Sequence, residues 1–219
     1  CCFAIRCCHQ HRLFHLHPAC GNRFEMIKLS ILIPTVNGRE QKLSALISVL
    51  KPQLTDEVEV ITICDNKEIT IGEKRTALYA KANGLFSVQI DDDDLVPDYY
   101  VSEILRRINV FPDIDCIGYI ERCIWNGTSE TFSDFSLRYS EWKEQKDNKE
   151  FTHVRTPFHK TPIRTEIAKQ VPFEHIRWGE DHKWSIAINP LLKTEVYIPK
   201  VMYIYQYTHE NQKIKYGIK

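Results

Sequence analysis

Hydrophobic residues in the first half of the chain follow two alternating periods. Short runs of aliphatic and β-branched residues predict strands, and apolar residues at helical spacing predict a helix after each of them. The predicted strands cover residues 28–36, 57–65 and 85–90, and the predicted helices cover residues 39–53, 72–84 and 97–111. Pro52 ends the first helix, and Gly84 is the predicted C-terminal cap of the second. This alternation predicts a parallel, Rossmann-like sheet covered by helices on both faces.

The pattern changes in the second half of the chain. Residues 115–125 and 131–139 are typical of longer strands, which we expect to pair antiparallel. Residues 140–150 predict a charged, solvated segment, a short helix is predicted near residues 162–170, and strand-like alternation returns at residues 195–207. The whole pattern therefore predicts a single α/β domain with a mostly parallel sheet and an antiparallel C-terminal part.

The first 25 residues differ from the rest, with five cysteines and four histidines among them. Their spacing matches none of the usual zinc patterns, which use two cysteine pairs or a cysteine pair followed by a histidine pair. The segment also lacks the apolar core and the small-residue cleavage site of a signal peptide. We therefore expect residues 1–25 to be a non-native or disordered extension, with metal binding as the alternative. Residues 26–219 are expected to form the domain.

Charge and cysteine usage narrow the classes of function. Lysine plus arginine equals aspartate plus glutamate, at 29 each, so no basic surplus favours nucleic acid as a partner. No apolar run approaches the ~20 residues needed to span a bilayer, which predicts a soluble protein without a transmembrane segment. After residue 25 the cysteines are Cys64, Cys116 and Cys123, all within apolar strand-like runs. Thiols of this kind indicate a reducing compartment, and we expect the protein to be cytoplasmic.

Four consecutive aspartates, Asp91 to Asp94, follow the third predicted strand. Adjacent carboxylates repel by on the order of 3–4 kcal/mol per close pair at an effective dielectric of about 20, so a counter-charge or open solvent must offset them. Ligands of open α/β sheets gather at this edge, and Mg²⁺ or Mn²⁺ prefers carboxylate and phosphate oxygens. In an extended segment Asp91 and Asp93 would point to one face and could share a cation. The alternative is a solvated acidic loop that caps the next helix.

Four segments occur in the order and approximate spacing found in family 2 glycosyltransferases of the GT-A fold: LSILIPTVNGRE, ITICDNKEITIGEKRTALYAKANG, FSVQIDDDDLVPDYY and WGEDHKWS. The chain resembles this family over about residues 27–190. The resemblance implies inverting, metal-assisted transfer of a single sugar from a nucleotide-diphosphate-sugar to a hydroxyl of a glycan, lipid-linked or protein acceptor. It also implies a nucleotide-binding half at about residues 26–112 and an acceptor half at about residues 113–219.

The resemblance assigns roles to residues around the strand ends. The donor-binding residues that it implies are Pro34, Thr35, Asp65, Lys74, Arg75 and Asp92. Lys74 and Arg75 open a helix, where the helix dipole and basic side chains attract an anion. Asp91 and Asp93 take the place of the family's Asp-x-Asp motif, with the register open by one residue, and would hold Mg²⁺ or Mn²⁺ against the diphosphate. The alternatives are an exposed helix face for Lys74 and Arg75 and a turn residue for Asp65.

The segment RWGEDHKW matches the part of the family that acts on the acceptor. Inverting transfer needs a general base that takes the proton of the acceptor hydroxyl, and Asp181 matches the family's base. Glu180 beside it is the implied acceptor contact, and His209 is a candidate third metal ligand. Trp178 or Trp184 could stack on a sugar ring. The alternative for Glu180 and Asp181 is a pair of first-turn residues placed by the helix dipole.

Two other functions stay open at this point. One is a degenerate GT-A-like domain that binds a nucleotide-sugar or a protein partner without catalysis. The other is sugar-nucleotide formation by a nucleotidyltransferase, which shares the α/β pattern and the acidic metal site. Such enzymes usually have a glycine-rich phosphate loop after the first strand, whereas PTVNGREQK contains only Gly38.

Overall fold

Within residues 26–125 the strands and helices follow one another as the sequence pattern predicts. The computed structural model describes residues 12–16, 26–145 and 150–208. Within these ranges the strands are β1 (Arg12–Leu16), β2 (Leu29–Val36), β3 (Val58–Asp65), β4 (Phe86–Gln89), β5 (Cys116–Trp125), β6 (Ser129–Phe135), β7 (Lys143–Glu144), β8 (His153–Arg155), β9 (Ile163–Arg164) and β10 (Glu195–Tyr207). The α-helices are α1 (Glu40–Leu50), α2 (Ile71–Lys81), α3 (Tyr100–Val110), α4 (Thr165–Ala168) and α5 (Glu180–Ile188). None of the described helices has both the length and the apolar character that crossing a membrane requires.

Three parallel strands form the centre of the first half, with β2 between β3 and β4. Every residue of β3 and β4 is buried, as are all but the last residue of β2. A strand covered on both faces needs apolar residues at successive positions, which explains the continuous apolar runs in this part of the sequence. The predicted parallel order of these three strands is confirmed.

The helices between these strands lie close to their predicted positions. α2 begins with a capping box, in which the Thr70 hydroxyl accepts from the Glu73 N–H and the Glu73 carboxylate accepts from the Thr70 N–H. α2 ends at Lys81, so the expectation that Gly84 caps it is wrong. A Cβ at Gly84 would lie 2.6 Å from the backbone nitrogen of Ser30. Gly84 therefore permits close packing against β2.

β5 is the central strand of the second half. It pairs antiparallel with β6, as expected, and parallel with β10. β9 joins the two halves because it pairs antiparallel with both β4 and β5. β10 departs from regular pairing twice between Ile198 and Tyr203, and further along it Ile204 bridges to Leu95. The result is a mixed α/β sheet in which the last strand reaches the segment that follows β4.

β1 extends the sheet at the edge of the first half. It pairs antiparallel with β3, with Arg12 opposite Cys64 and Leu16 opposite Val60. Residues 12–16 thus pair with the sheet. The expectation that residues 1–25 are a non-native or disordered extension stays a prediction, because the other residues of that segment lie outside the described ranges. Pairing along a sheet edge uses backbone N–H and C=O groups, so the pattern of side chains hardly predicts it.

Candidate functional site

The carboxyl ends of β2 and β4 and the start of α2 surround a cleft. In a parallel sheet these ends meet at one edge, which is where ligands of open α/β sheets bind. The residues that line the cleft are Pro34, Thr35, Val36, Arg39, Lys67, Ile69, Ile71, Lys74, Asp91, Asp92, Asp93 and Arg177. Most of the residues predicted to bind the donor or a metal therefore lie around the same cavity.

Lys74 joins the ends of β2 and β3. Its ammonium group forms a buried ion pair with the Asp65 carboxylate and donates to the Thr35 carbonyl oxygen at 2.6 Å. The Asp65 carboxylate also accepts from the backbone N–H of Ile69 at 3.1 Å. Lys74 is only 3% exposed, so the alternative of an exposed helix face is wrong for this residue. Lys74 lines the cleft, whereas Asp65 holds Lys74 in place without lining the cleft itself.

Arg75 connects the cleft to α5 and is also buried, at 2% exposure. Its Nη2 donates to Asp91 Oδ1 at 2.8 Å, its Nη1 to Gln89 Oε1 at 3.0 Å, and its Nε to Glu180 Oε1 at 3.2 Å. Burial disfavours the guanidinium charge, but the carboxylates of Asp91 and Glu180 outweigh it and raise the pKa of Arg75. The exposed-helix alternative is wrong here too, since Arg75 holds three segments together.

The four aspartates form a tight turn, closed by a hydrogen bond of 3.0 Å from the Asp94 N–H to the Asp91 carbonyl oxygen. The expectation of an extended segment, with Asp91 and Asp93 on one face, is therefore wrong. Asp92 and Asp93 instead both contact Arg39. The Arg39 Nη2 atom lies 2.6 Å from Asp92 Oδ1 and 2.7 Å from Asp93 Oδ2. A single positive group thus sits between two neighbouring carboxylates.

Asp94 belongs to a different environment, next to β10. Its Oδ2 accepts from the Tyr203 hydroxyl at 2.8 Å, and its Oδ1 accepts from the Gln206 N–H at 3.0 Å. The buried Lys160 ammonium group lies 3.4 Å from Asp94 Oδ2 and 3.1 Å from Glu121 Oε2. Asp94 therefore anchors the turn to the last strand and does not line the cleft.

Burial and neighbouring charges control the protonation of the turn. Burial raises the pKa of Asp92 to about 6, although Arg39 and the Thr35 hydroxyl favour the charged form. That hydroxyl donates to Asp92 Oδ2 at 2.5 Å. Burial opposes the charge of Arg39, but Asp92 and Asp93 outweigh it and raise the pKa of Arg39. At neutral pH the carboxylate of Asp92 therefore depends on the positive charge beside it.

α5 begins with the predicted acidic pair, whose two members face different surroundings. Gly179 precedes the helix with φ of 78°, a left-handed conformation that suits glycine. Glu180 turns inward to Arg75, and burial raises its pKa while Arg75 opposes the shift. Asp181 is partly exposed, and its Oδ1 accepts from the His182 N–H at 2.8 Å. Within the described ranges Asp181 forms no ion pair.

The remaining predicted residues lie elsewhere. The Trp184 ring stacks 4.7 Å from Phe173 and 5.5 Å from Tyr79 in the core, so the expectation that Trp184 stacks on a sugar is wrong. Trp178 is 74% exposed and stays a prediction for that role. His209 lies outside the described ranges, and its role as a metal ligand also stays a prediction. Within those ranges no group of three or more histidine, cysteine or acidic side chains is arranged to hold a metal.

Sequence reasoning missed three basic residues of the cleft, Arg39, Lys67 and Arg177. Arg39 had a usable signal, because the loop after β2 lies at the same edge as the aspartates. Arg177 comes from the segment before α5, and its guanidinium donates to the Lys67 carbonyl oxygen at 3.3 Å. No local pattern connects two residues so far apart in the sequence.

The fold is of the GT-A type, the class predicted from the sequence. Solved structures of S. aureus TarS share it. TarS residues 1–349 in complex with UDP match with a TM-score of 0.62 and 16% identity, over 86% of this chain and 63% of that chain. The complex with UDP-GlcNAc gives 0.60 and 15%, over 83% and 59%. A further TarS structure gives 0.62 and 17%, over 86% and 38%.

This chain thus spans less than two thirds of the TarS chains that it matches. No protein-family model matches the chain, and no curated protein sequence matches it. At 15–17% identity the likeness to TarS establishes the fold.

Proposed function

We propose that this chain is an inverting glycosyltransferase that moves one sugar from a nucleotide-diphosphate-sugar to a hydroxyl of a glycan, lipid-linked or protein acceptor. The observation that carries the proposal is the contact of one buried guanidinium, on Arg75, with both Asp91 and Glu180. Through Arg75 the cleft and the acidic pair of α5 form parts of one site. The likeness to TarS in complex with UDP and UDP-GlcNAc supports a nucleotide-sugar donor.

The charges of the cleft suit a nucleotide diphosphate. Lys67, Arg177 and Arg39 bring basic groups to its lining, and guanidinium and ammonium groups are good partners for phosphate oxygens. Asp65 and Thr35, held by Lys74, are the proposed contacts for the base and ribose. Uridine is the first base to test, because TarS has been solved with UDP.

Asp92 and Asp93 are the proposed metal pair. The two carboxylates already accommodate a positive group between them, and their oxygens suit Mg²⁺ or Mn²⁺. Such an ion often takes only one or two carboxylates together with substrate phosphates, so two protein ligands fit this chemistry. When bound, the ion would neutralise the developing charge of the diphosphate leaving group. Asp91, engaged with Arg75, is better suited to hold the turn in place.

Asp181 is the proposed general base. It is partly exposed, whereas Glu180 is buried in its contact with Arg75. The acceptor hydroxyl oxygen attacks the anomeric carbon while the bond from that carbon to the diphosphate oxygen breaks, and the hydroxyl proton moves to the Asp181 carboxylate. One displacement inverts the anomeric centre without a covalent intermediate. Glu180 then acts as a positioning residue, because its ion pair fixes the start of α5 against Arg75.

Calorimetry on the full chain tests donor binding. UDP, GDP and dTDP are titrated separately with Mn²⁺ and with a chelator. We expect metal-dependent binding of one nucleotide, with UDP the leading candidate. If the folded protein binds none of them, the proposal is wrong and the non-catalytic alternative without a nucleotide ligand is favoured.

Hydrolysis of UDP-GlcNAc, with water in place of the acceptor hydroxyl, tests the base. Asp181→Asn should lower the rate by about 10²- to 10⁴-fold and leave UDP affinity unchanged, since only proton transfer is removed. Asp113→Asn, at an exposed position away from the cleft, is the matched control and should keep the wild-type rate. A near-normal rate for Asp181→Asn would show that another group is the base.

A further inference from the structure

Arg39 occupies the point at which two carboxylates of the aspartate turn converge. A single nitrogen, Nη2, lies 2.6 Å from Asp92 Oδ1 and 2.7 Å from Asp93 Oδ2. The side chains of Arg39, Asp92 and Asp93 are 15%, 3% and 10% exposed. The guanidinium of Arg39 therefore lies between the two side chains that are proposed to hold a divalent cation.

The backbone around Arg39 is suited to a change of position. Arg39 stands between the turn at Gly38, whose φ is +88°, and the first residue of α1. It is the N-terminal flanking residue of that helix, yet its side chain makes no capping hydrogen bond. Moving the guanidinium would therefore break no capping hydrogen bond of α1.

A comparison with Arg75 indicates how Arg39 is held. Arg75 donates from Nε, Nη1 and Nη2 to three different residues and is fixed in direction. The ion pairs of Arg39 with Asp92 and Asp93 both involve Nη2, and its Nε makes no hydrogen bond within the described part of the chain. Arg39 is thus retained by charge attraction, whereas Arg75 is retained by charge and by directional hydrogen bonds.

We infer that Arg39 is the resident counter-ion of Asp92 and Asp93, and that a divalent cation binds the pair only by displacing its guanidinium. The inference rests on the metal-dependent reaction proposed above, and it names the residue that sets metal affinity. Arg39 also lines the cleft proposed for the diphosphate. An anionic nucleotide bound there would give the displaced guanidinium a new partner, so nucleotide and metal should assist each other's binding.

Mn²⁺ titration of the full chain without nucleotide tests this displacement. Free Mn²⁺ is followed by electron paramagnetic resonance at a pH above 7, with Arg39→Ala and Arg39→Gln compared with the wild type. Each variant should bind Mn²⁺ at least about ten-fold more tightly, because a competing positive charge a few ångströms from the ion is gone. Arg39→Gln keeps much of the side-chain volume, and thermal unfolding reports whether each variant is folded.

Arg177→Ala is the matched control, since it removes one positive charge from the same cleft without a contact to the aspartates in the described structure. It should change Mn²⁺ affinity by less than about three-fold. The inference is overturned if the Arg39 variants bind Mn²⁺ no more tightly than the wild type, if no variant binds it, or if Arg177→Ala gives the same gain. UDP titration with Mn²⁺ present is read separately, because absence of UDP binding under that condition would count against the proposed function and leave the Mn²⁺-only result intact.

Discussion

Replacement of Arg75 by methionine tests whether this guanidinium is the charge that holds the site together. Methionine keeps a long apolar side chain in the cavity but removes all three hydrogen bonds to Asp91, Gln89 and Glu180. The carboxyl groups of Asp91 and Glu180 are 8% and 6% exposed, so the variant removes the Arg75 charge from two buried carboxylates. Removal of one partner from a buried ion pair costs about 3–5 kcal/mol.

An upper limit to this cost comes from protonation. A buried carboxyl group that has lost its ion pair with Arg75 can take up a proton, which at pH 7 costs about 1.4 kcal/mol for each pH unit between pH 7 and its ordinary pKa. For one aspartate and one glutamate the sum is roughly 8 kcal/mol at pH 7 and roughly 2–3 kcal/mol at pH 5. We therefore expect Arg75→Met to lose about 3–5 kcal/mol of unfolding free energy at pH 7.5 and less than about half of that at pH 5.

Urea unfolding at the two pH values measures both quantities. Arg122→Met is the matched control, because it breaks an ion pair with Glu130 whose partners are 42% and 48% exposed. Such a pair contributes about 0–1 kcal/mol, with little dependence on pH in this range. A loss below about 1 kcal/mol for Arg75→Met at pH 7.5 would show that the Arg75 charge contributes little to stability. An equal loss at both pH values would assign the effect to packing and not to charge.

Three further predictions concern the same region and its support. Asp92→Asn should gain stability relative to the wild type as the pH rises from 4.5 to 7.5, by about 2 kcal/mol in urea unfolding. The native pKa of Asp92 is raised to about 6, so the stability that protonated Asp92 contributes to the wild type is lost as the pH rises through this value. Trp184→Ala should lower the unfolding free energy by about 3–5 kcal/mol, since the ring stacks in the core, whereas Trp178→Ala, at an exposed position, should change it by less than about 0.5 kcal/mol. Thr70→Ala should cost about 1 kcal/mol through loss of the cap of α2, a change visible in the thermal midpoint.

The first half of the fold could be predicted because local pattern and tertiary position agree there. β2 and β3 are buried on both faces, and each apolar run has a length that only a central strand explains. The second half agrees less well. β7 and β9 have two residues each, so long-range pairing and not local periodicity defines them.

The candidate site likewise contains residues that could be predicted from local pattern and residues that could not. Asp65 and Lys74 were predictable because one ends a strand and the other opens a helix at the edge where ligands bind. The partners of the turn were not, because Tyr203 and Gln206 come from the last strand, more than a hundred residues further along. The prediction that Asp91 and Asp93 point to one face assumed an extended backbone, and the turn made it wrong.

Four adjacent carboxylates are tolerated because the fold separates them among three positive groups. Arg75 faces Asp91, Arg39 faces Asp92 and Asp93, and Lys160 faces Asp94. Lys160 and Arg75 are buried and hydrogen-bonded, so they hold the two ends of the turn in place.

The central pair differs, since its counter-charge comes from a loop and lies in the cleft. A divalent cation that displaced Arg39, as inferred above, would bind Asp92 and Asp93 without releasing either end of the turn. Arg75 and Lys160 would then keep the geometry of the turn, while displacement of Arg39 would leave two carboxylates for a ligand.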